Sequence, residues 1–443
     1  MQPGIRLISQ YYDRTSGEVL ESIIFHDEEL KKAETLNQLG HTHVEQIDLL
    51  QKIQEFKIKH QIVLNSIDTC PNCQSRTQKS GIFPSRFNGP LTDHKVDVQR
   101  KKCTCGWHSE TSIEGIYGSS IHPDLLKKQA LQGAQTSYEK SSQYLNGESA
   151  RKRPVNSHSQ IYRSVKLVGA QLESVRSSAN DNNEKAIKSA DFLITQVDGG
   201  HIKARGTARS FEAMVAKVYR PEALSYVDKN HNTLNSKTVV ASAKDDQQET
   251  MKVLFKSACR MQGMTKQTHV INLADGADNC WSIAHSIADE CLQLTCILDW
   301  FHVTMKFRNI AIPEEHKELY EKAKWNVWHG RAEQAVMRLE ELREFNLEDE
   351  IKTKINTLKN YIYNNKDKIV NYDTRKKEGL PYTSNQEEST VNTLINNRQK
   401  GKQKMLWSRE GAHYVLQIRS SVFSNEWEQD WQKLEPNIYK KAA

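Results

Sequence analysis

The sequence predicts an α/β core, interrupted by an all-α insertion and preceded by a helical region and a Cys-bearing ribbon. Three observations predict it. Apolar, strand-like runs alternate with amphipathic helical runs between residues 190 and 302. A long stretch dominated by Glu, Lys and Leu then breaks that alternation. Four of the eight Cys cluster early, at Cys70, Cys73, Cys103 and Cys105. At 443 residues the chain is too long for one core, so about two to four domains are expected.

Residues 1–65 read as a helical region, because Val44, Ile47, Leu50, Ile53 and Phe56 recur at helical spacing, as do Ile58 and Ile62. Residues 66–115 hold Cys-Pro-Asn-Cys and Cys-Thr-Cys, separated by a stretch in which Lys95 to Arg100 alternates like a strand. Residues 120–185 read as helices. Leu125, Leu126 and Leu131 lie in one, Tyr138 to Leu145 forms another, and Asn146-Gly147 ends it. A basic run, Arg151 to Pro154, leads to Ser157 or Ser159 as the N-cap of a helix carrying Ile161, Val165, Leu167 and Val168. This is compatible with a helix-turn-helix, and a plain helical linker fits the same residues.

The core, 190–302, begins with a strand, Phe192 to Val197, ending at Asp198-Gly199-Gly200. His201 to Ala204 and Met214 to Tyr219 are expected as its antiparallel partners. A helix, Gln247 to Met261, and a strand, Thr268 to Ala274, lead to Asp275-Gly276. A helix, Ser282 to Leu292, and a strand, Leu294 to Leu298, lead to Asp299. Three strands, then helix, strand, helix, strand, is the order of an RNase H-like core. Residues 303–380 are the helical insertion. Residues 381–425 hold the last core helix, Glu387 to Lys404, and a C-terminal helix, and 426–443 are a tail.

Hydrophobic residues make up 37%, charged residues 26% and aromatics 8%, with eight Trp. That aromatic content argues against general disorder. The net charge of +7 and pI near 8.8 fit a polyanionic partner without requiring one. No stretch reaches the ~20 apolar residues of a membrane helix, and the first residues lack a signal-peptide pattern. No membrane association and a cytoplasmic location are expected, beside the nucleoid in a bacterial source.

Asp198 and Asp275 each end an apolar strand and precede Gly, which leaves room for a bulky phosphate backbone. As neighbouring strands, these would bring two carboxylates face to face, and such a pair calls for a cation. Mg²⁺ fits, since it prefers hard oxygen ligands. A third carboxylate would help hold two ions about 3.5–4 Å apart, and Glu388 is the candidate. Each residue also has a plainer explanation. Asp-Gly is a common turn, Asp278 can cap a helix, Ser384 with Glu387 matches a capping box, and the helix dipole favours Glu388 near a helix start.

In a chain kept in a reducing compartment, paired Cys read as metal ligands. Cys70, Cys73, Cys103 and Cys105 supply four thiolates for one structural Zn²⁺. Because Cys-x-Cys is tight, His108 is an alternative to Cys103 or Cys105. Cys259, Cys280, Cys291 and Cys296 lie in apolar segments and read as core residues.

Val197-Asp198-Gly199-Gly200 and Leu273-Ala274-Asp275-Gly276-Ala277 resemble the first and second motifs of bacterial insertion-sequence transposases of the DDE type, in the ISKra group. The block from Leu298 to Lys306 carries Asp299 and His302, an Asp-x-x-His signature shared with Mutator-like transposases. Glu388-Ser389-Thr390-Val391-Asn392, with Arg398 and Met405-Leu406-Trp407-Ser408, is similar to the third motif. Lys324 to Gly330 resembles part of the helical insertion, and the blocks together cover roughly residues 190–425.

The resemblance implies that Asp198, Asp275 and Glu388 coordinate two Mg²⁺ (or Mn²⁺) ions. The implied reaction is hydrolysis of a phosphodiester at an element end, then attack of the freed 3′-hydroxyl on target DNA. Double-stranded DNA would be the partner, held by a homodimer or larger assembly. Asp299 and His302 would support catalysis, though a hydrogen-bonded core histidine following a strand is the plainer reading of His302. Trp325 and Trp328 would stack on unpaired bases, or pack inside the insertion. Lys203, Arg205, Arg209, Arg398, Lys400, Lys402 and Lys404 would contact phosphates, or form solvated faces. The rival readings are another RNase H-like endonuclease and an inactive, transposase-derived DNA-binding regulator.

Overall fold

In the computed structural model, residues 2–64, 67–149, 155–178, 187–206, 209–226, 232–384, 389–400 and 405–439 are described. The chain divides into two units, residues 1–165 with 435–443, and residues 166–434.

The first unit starts with strands, not helix. β1 (Gly4–Tyr12) and β2 (Val19–Glu29) pair antiparallel. Their Ile, Val, Leu and Tyr residues favour extended backbone. The turn between them is built by Asp13, whose Oδ1 accepts from the Thr15 and Ser16 N–H groups at 2.7 and 2.8 Å. The expected helical region is therefore confined to its second half, α1 (His43–Leu64). β3 (Gln78–Asn88) and β4 (Asp93–Lys102) form a second antiparallel hairpin between the two Cys pairs. Three helices follow, α2 (Ile113–Tyr117), α3 (Pro123–Gln135) and α4 (Tyr138–Gly147). In α5 (His158–Ser177), Ser157 Oγ accepts from the Gln160 N–H at 3.3 Å, the expected cap. Arg151 to Pro154 lie outside the described residues.

The second unit is built on a five-stranded mixed sheet. Its strands are β5 (Phe192–Lys203), β6 (Ser210–Tyr219), β9 (Thr238–Ser242), β10 (His269–Ala274) and β11 (Gln293–Leu298). A small hairpin, β7 (Leu224–Tyr226) with β8 (Asn232–Leu234), stands apart from it. The sheet order is β11-β10-β5-β6-β9. β5, β10 and β11 run parallel, β6 is antiparallel to β5, and β9 is antiparallel to β6.

Two strand expectations are corrected. β5 does not stop at Asp198. Gly199 and Gly200 stay extended and pair with Met214 and Ala213, so the strand runs on through His201 to Lys203 rather than turning back. The remaining antiparallel partner is β9, whose five residues are all buried. A short strand buried on both faces has no alternation to read.

Helices cover both faces. α6 (Glu249–Met261) and α7 (Asp278–His285) pack on the side of Val197 and Met214. α7 starts and ends earlier than expected, with a 3₁₀ turn at Ala288–Glu290 before β11. The insertion comprises α8 (Trp300–Arg308), α9 (Lys317–Trp328), α10 (Ala332–Glu344), α11 (Asp349–Asn364) and α12 (Tyr372–Lys377). Its buried Tyr320, Trp328, Leu339, Ile355, Ile362 and Tyr372 belong to the same apolar core as the sheet.

On the opposite face lies a helical stretch over 390–399, with a π-helical turn at Asn392–Asn396 running into α13 (Asn397–Gln399). Gly200 makes its approach close. A Cβ there would lie 2.8 Å from Ile395 Cδ1 and 3.1 Å from Val391 Cγ1. α14 (Arg409–Phe423) packs beside β9. The expected tail contains a helix, α15 (Trp427–Leu434), because Trp427, Asp430, Trp431 and Leu434 share a buried face. Arg176 of α5, 2% exposed, pairs with Glu426 at 2.7 Å and Asp430 at 3.6 Å.

Candidate active site

Strand register aligns three carboxylates. Val197, Ala274 and Leu298 are direct partners across β5, β10 and β11. The next residue in each strand is acidic, giving Asp198, Asp275 and Asp299. Asp198 lies within a strand, whereas Asp275 and Asp299 follow strand ends. Neighbouring strands are about 4.8 Å apart, so these three residues form one row across the sheet.

Their surroundings differ. Asp198 Oδ1 accepts from the Gly199 N–H at 2.7 Å. Loss of water around Asp198 raises its carboxyl above the usual range. His302 and the Gly199 N–H pull against that, and the charges of Asp275 and Asp299 add to it. Asp275 Oδ1 accepts from the Ala277 N–H at 2.9 Å, and Gly276 takes a φ of +97°. A Cβ at Gly276 would meet Tyr361 Cε2 at 2.8 Å, so turn and packing both require glycine there.

Asp299 is the most constrained of the three, at 1% exposed. Its Oδ1 caps α8 by accepting from the Phe301 N–H at 3.0 Å, and also accepts from the Ser384 N–H at 3.0 Å. Its Oδ2 accepts from the Ser384 hydroxyl and lies 3.7 Å from His302 Nε2. Ser384 is thus bound to Asp299, while Glu387, its expected capping-box partner, lies outside the described residues. Glu388 does too.

The insertion reaches the same strand ends. Tyr361 of α11 donates its hydroxyl to the Asp275 carbonyl at 2.8 Å. Tyr372 of α12 donates to the Leu298 carbonyl at 2.7 Å. Trp281 Nε1 donates to Asn365 Oδ1 at 3.0 Å. None of these was legible in the sequence, since 74 to 86 residues separate the tyrosines from the carbonyls they bind. Glu212 was missed as well; it accepts from Asn279 Nδ2 at 2.8 Å, beside Gly199. Asp278 begins α7 without capping it, a position the helix dipole favours.

The four early Cys come together. Cys70 Sγ lies 3.6 Å from Cys105 Sγ, and Cys73 Sγ 3.3 Å from Cys103 Sγ. All four sulfurs are within 4.8 Å of one another. A tetrahedral ion with Zn–S bonds of about 2.3 Å needs sulfurs about 3.8 Å apart, so the cluster fits Zn²⁺. His108 is not in the cluster. It bridges Lys102 instead. The N–H and hydroxyl of Ser75 lower the Cys73 thiol, whereas at Cys105 the neighbouring sulfurs outweigh the Trp107 N–H and raise the thiol, so the metal-free cluster holds its first negative charge at Cys73. Cys259, Cys280 and Cys291 are buried and Cys296 partly so, as expected of core thiols.

Among the described residues, only the four thiols and a His26, Glu28, His41 group bring three or more ligand atoms within 4.8 Å. The row of Asp198, Asp275 and Asp299 is more open.

The expected DNA-contacting residues separate. Lys203, Arg205 and Arg209 are exposed where β5 leads into β6, as is Lys400. Arg205 N donates to the Trp407 carbonyl at 2.8 Å, which joins that turn to the segment after residue 404. Arg398 is 3% exposed and stacks 4.8 Å over the Trp407 ring, which takes it away from solvent and from phosphate. Trp325 is 52% exposed. Trp328 is buried against Trp300 and Tyr372, at 4.8 and 6.0 Å between ring centroids, and is not free to stack on a base. Lys402 and Lys404 lie outside the described residues. No described helix is long and apolar enough to cross a membrane.

The sequence matches no family model and no curated protein. Among solved structures, the Drosophila P element transposase strand transfer complex matches with 9% identity over 72% of this chain and 82% of that one. The TM-score is 0.24, a likeness too slight to decide fold or function.

Proposed function

We propose that this chain is a DDE transposase with an RNase H-like core, cutting and joining DNA. The observation that carries this reading is the register that aligns Asp198 with Asp275 on adjacent parallel strands. The sheet order, with three antiparallel strands followed by two parallel ones, supports the RNase H-like assignment.

The donor set fits Mg²⁺. Asp198 and Asp275 offer hard oxygens, and the charge of Asp275 adds to the cost of ionising buried Asp198 until a cation intervenes. Bound there, divalent ions would supply a polarised water and neutralise charge on the leaving oxygen. The residues do the rest. Asp198 and Asp275 would hold the ions, whose positive charge would in turn draw the reacting phosphate to the strand ends. Asp299, bound to Ser384 and to the start of α8, holds Ser384, which precedes Glu388 by four residues in sequence, against the strand ends. Val391 and Ile395 pack over Gly200, two residues from Asp198, so the segment that follows Glu388 in sequence lies beside Asp198, which supports Glu388 as the third carboxylate. Exposed Lys203, Arg205, Arg209 and Trp325 are the proposed DNA contacts, and two element ends call for at least a dimer.

Cleavage of a labelled duplex carrying the gene's own flanking ends tests this. Nicking that requires Mg²⁺ or Mn²⁺ is expected, with a loss of at least about 100-fold in Glu388→Ala while DNA binding persists. Equal cleavage by both proteins would remove Glu388 from the site. Tight end binding with no cleavage would favour the regulator reading.

A further inference from the structure

We propose that His26, Glu28 and His41 form a second transition-metal site, one that takes Zn²⁺ and is separate from the four thiols. His26 and Glu28 lie two apart on β2, so the pleat sends both side chains to one face. His26 Nε2 is 2.9 Å from Glu28 Oε2. His41 comes from the link between β2 and α1, and its ring meets that of His26 edge-on, 5.0 Å between centroids. The three ligand atoms lie within 4.8 Å of one another.

Two imidazoles and one carboxylate are a zinc donor set with a fourth position left for water. Mixed nitrogen and oxygen donors select such an ion over Mg²⁺. Glu45, in the first turn of α1, lies within electrostatic reach of both imidazoles and adds negative charge around the site. α1 is tied to the hairpin by Lys59 on Glu21 at 2.7 Å and by Phe56 against Phe25, but the link that carries His41 is not packed. Residues 30–42 contain no buried side chain, and Phe25 is the one buried apolar residue described in β1 and β2. A two-stranded hairpin is marginal by itself, and segments without a core are commonly held by metal. Zn²⁺ at this point would fasten the link to β2.

The test counts metal. The full chain is equilibrated with buffered free Zn²⁺ in excess Mg²⁺, which keeps Zn²⁺ off the carboxylates, and zinc per chain is measured for wild type, His26→Gln and His41→Gln. Each variant is expected to hold one zinc fewer than wild type. After Co²⁺ substitution, each should keep the full thiolate-to-cobalt absorption, which shows that the Cys site is still formed. The same zinc content in all three proteins would overturn the proposal. So would a loss of zinc accompanied by loss of the thiolate bands in both variants, since that would trace the effect to the Cys cluster.

Discussion

Asp198 pairs a buried carboxyl with like-charged neighbours, and this has a consequence for stability. Its proton is held more tightly in the folded chain than in the unfolded one. The metal-free protein therefore gains stability from this group at low pH and loses it as pH rises from the unfolded carboxyl range through the raised folded value. Asp198→Asn should raise the Tm of metal-free protein, and by more at pH 8 than at pH 4; thermal melts in chelator check this, and an unchanged difference across pH would contradict it. The oxygens of Asp299 are already occupied by hydrogen-bond donors. Ser384→Ala removes a hydroxyl bound to a buried carboxylate and should cost about 1.5–3 kcal/mol, read from denaturant unfolding. The sequence made Asp275 and Asp299 legible as residues closing apolar strands. It gave Asp198 the right neighbour but the wrong setting, because Gly-Gly reads as a turn and here lies inside a strand.

The elements explain why some expectations survived and others did not. β10, β11 and α6 have enough apolar periodicity to be read directly. β9 does not, and the β1–β2 hairpin was masked by the stronger helical pattern that follows it. The insertion was legible as helices, but its attachment was not. Tyr361 and Tyr372 look like surface aromatics on charged helices, yet both reach the sheet. The two tryptophans of α9 separate the roles. Trp328→Ala should cost about 3–5 kcal/mol, since its ring sits among Trp300, Tyr372 and Tyr382. Trp325→Ala should change stability by less than about 0.5 kcal/mol and weaken binding to duplex ends with unpaired bases. Unfolding curves and DNA titrations on both variants check this, and equal destabilisation would contradict it.

At the scale of the whole chain, the two units divide the work. The first gathers the four thiols, and the second gathers the carboxylates. The thiol cluster was legible from the spacing of its two Cys pairs, except that the tight Cys-x-Cys left His108 as an alternative ligand, which the structure sets apart. The carboxylate row depended on strand register, which pairs residues 77 and 24 positions apart and which no local pattern encodes. The claim on which the account depends is that this row holds a divalent cation. Mn²⁺ binding, followed by electron paramagnetic resonance on the zinc-loaded full chain, tests it most directly. Saturable binding by wild type, lost in both Asp198→Asn and Asp275→Asn, is the predicted result; binding that is unchanged in both variants would contradict it.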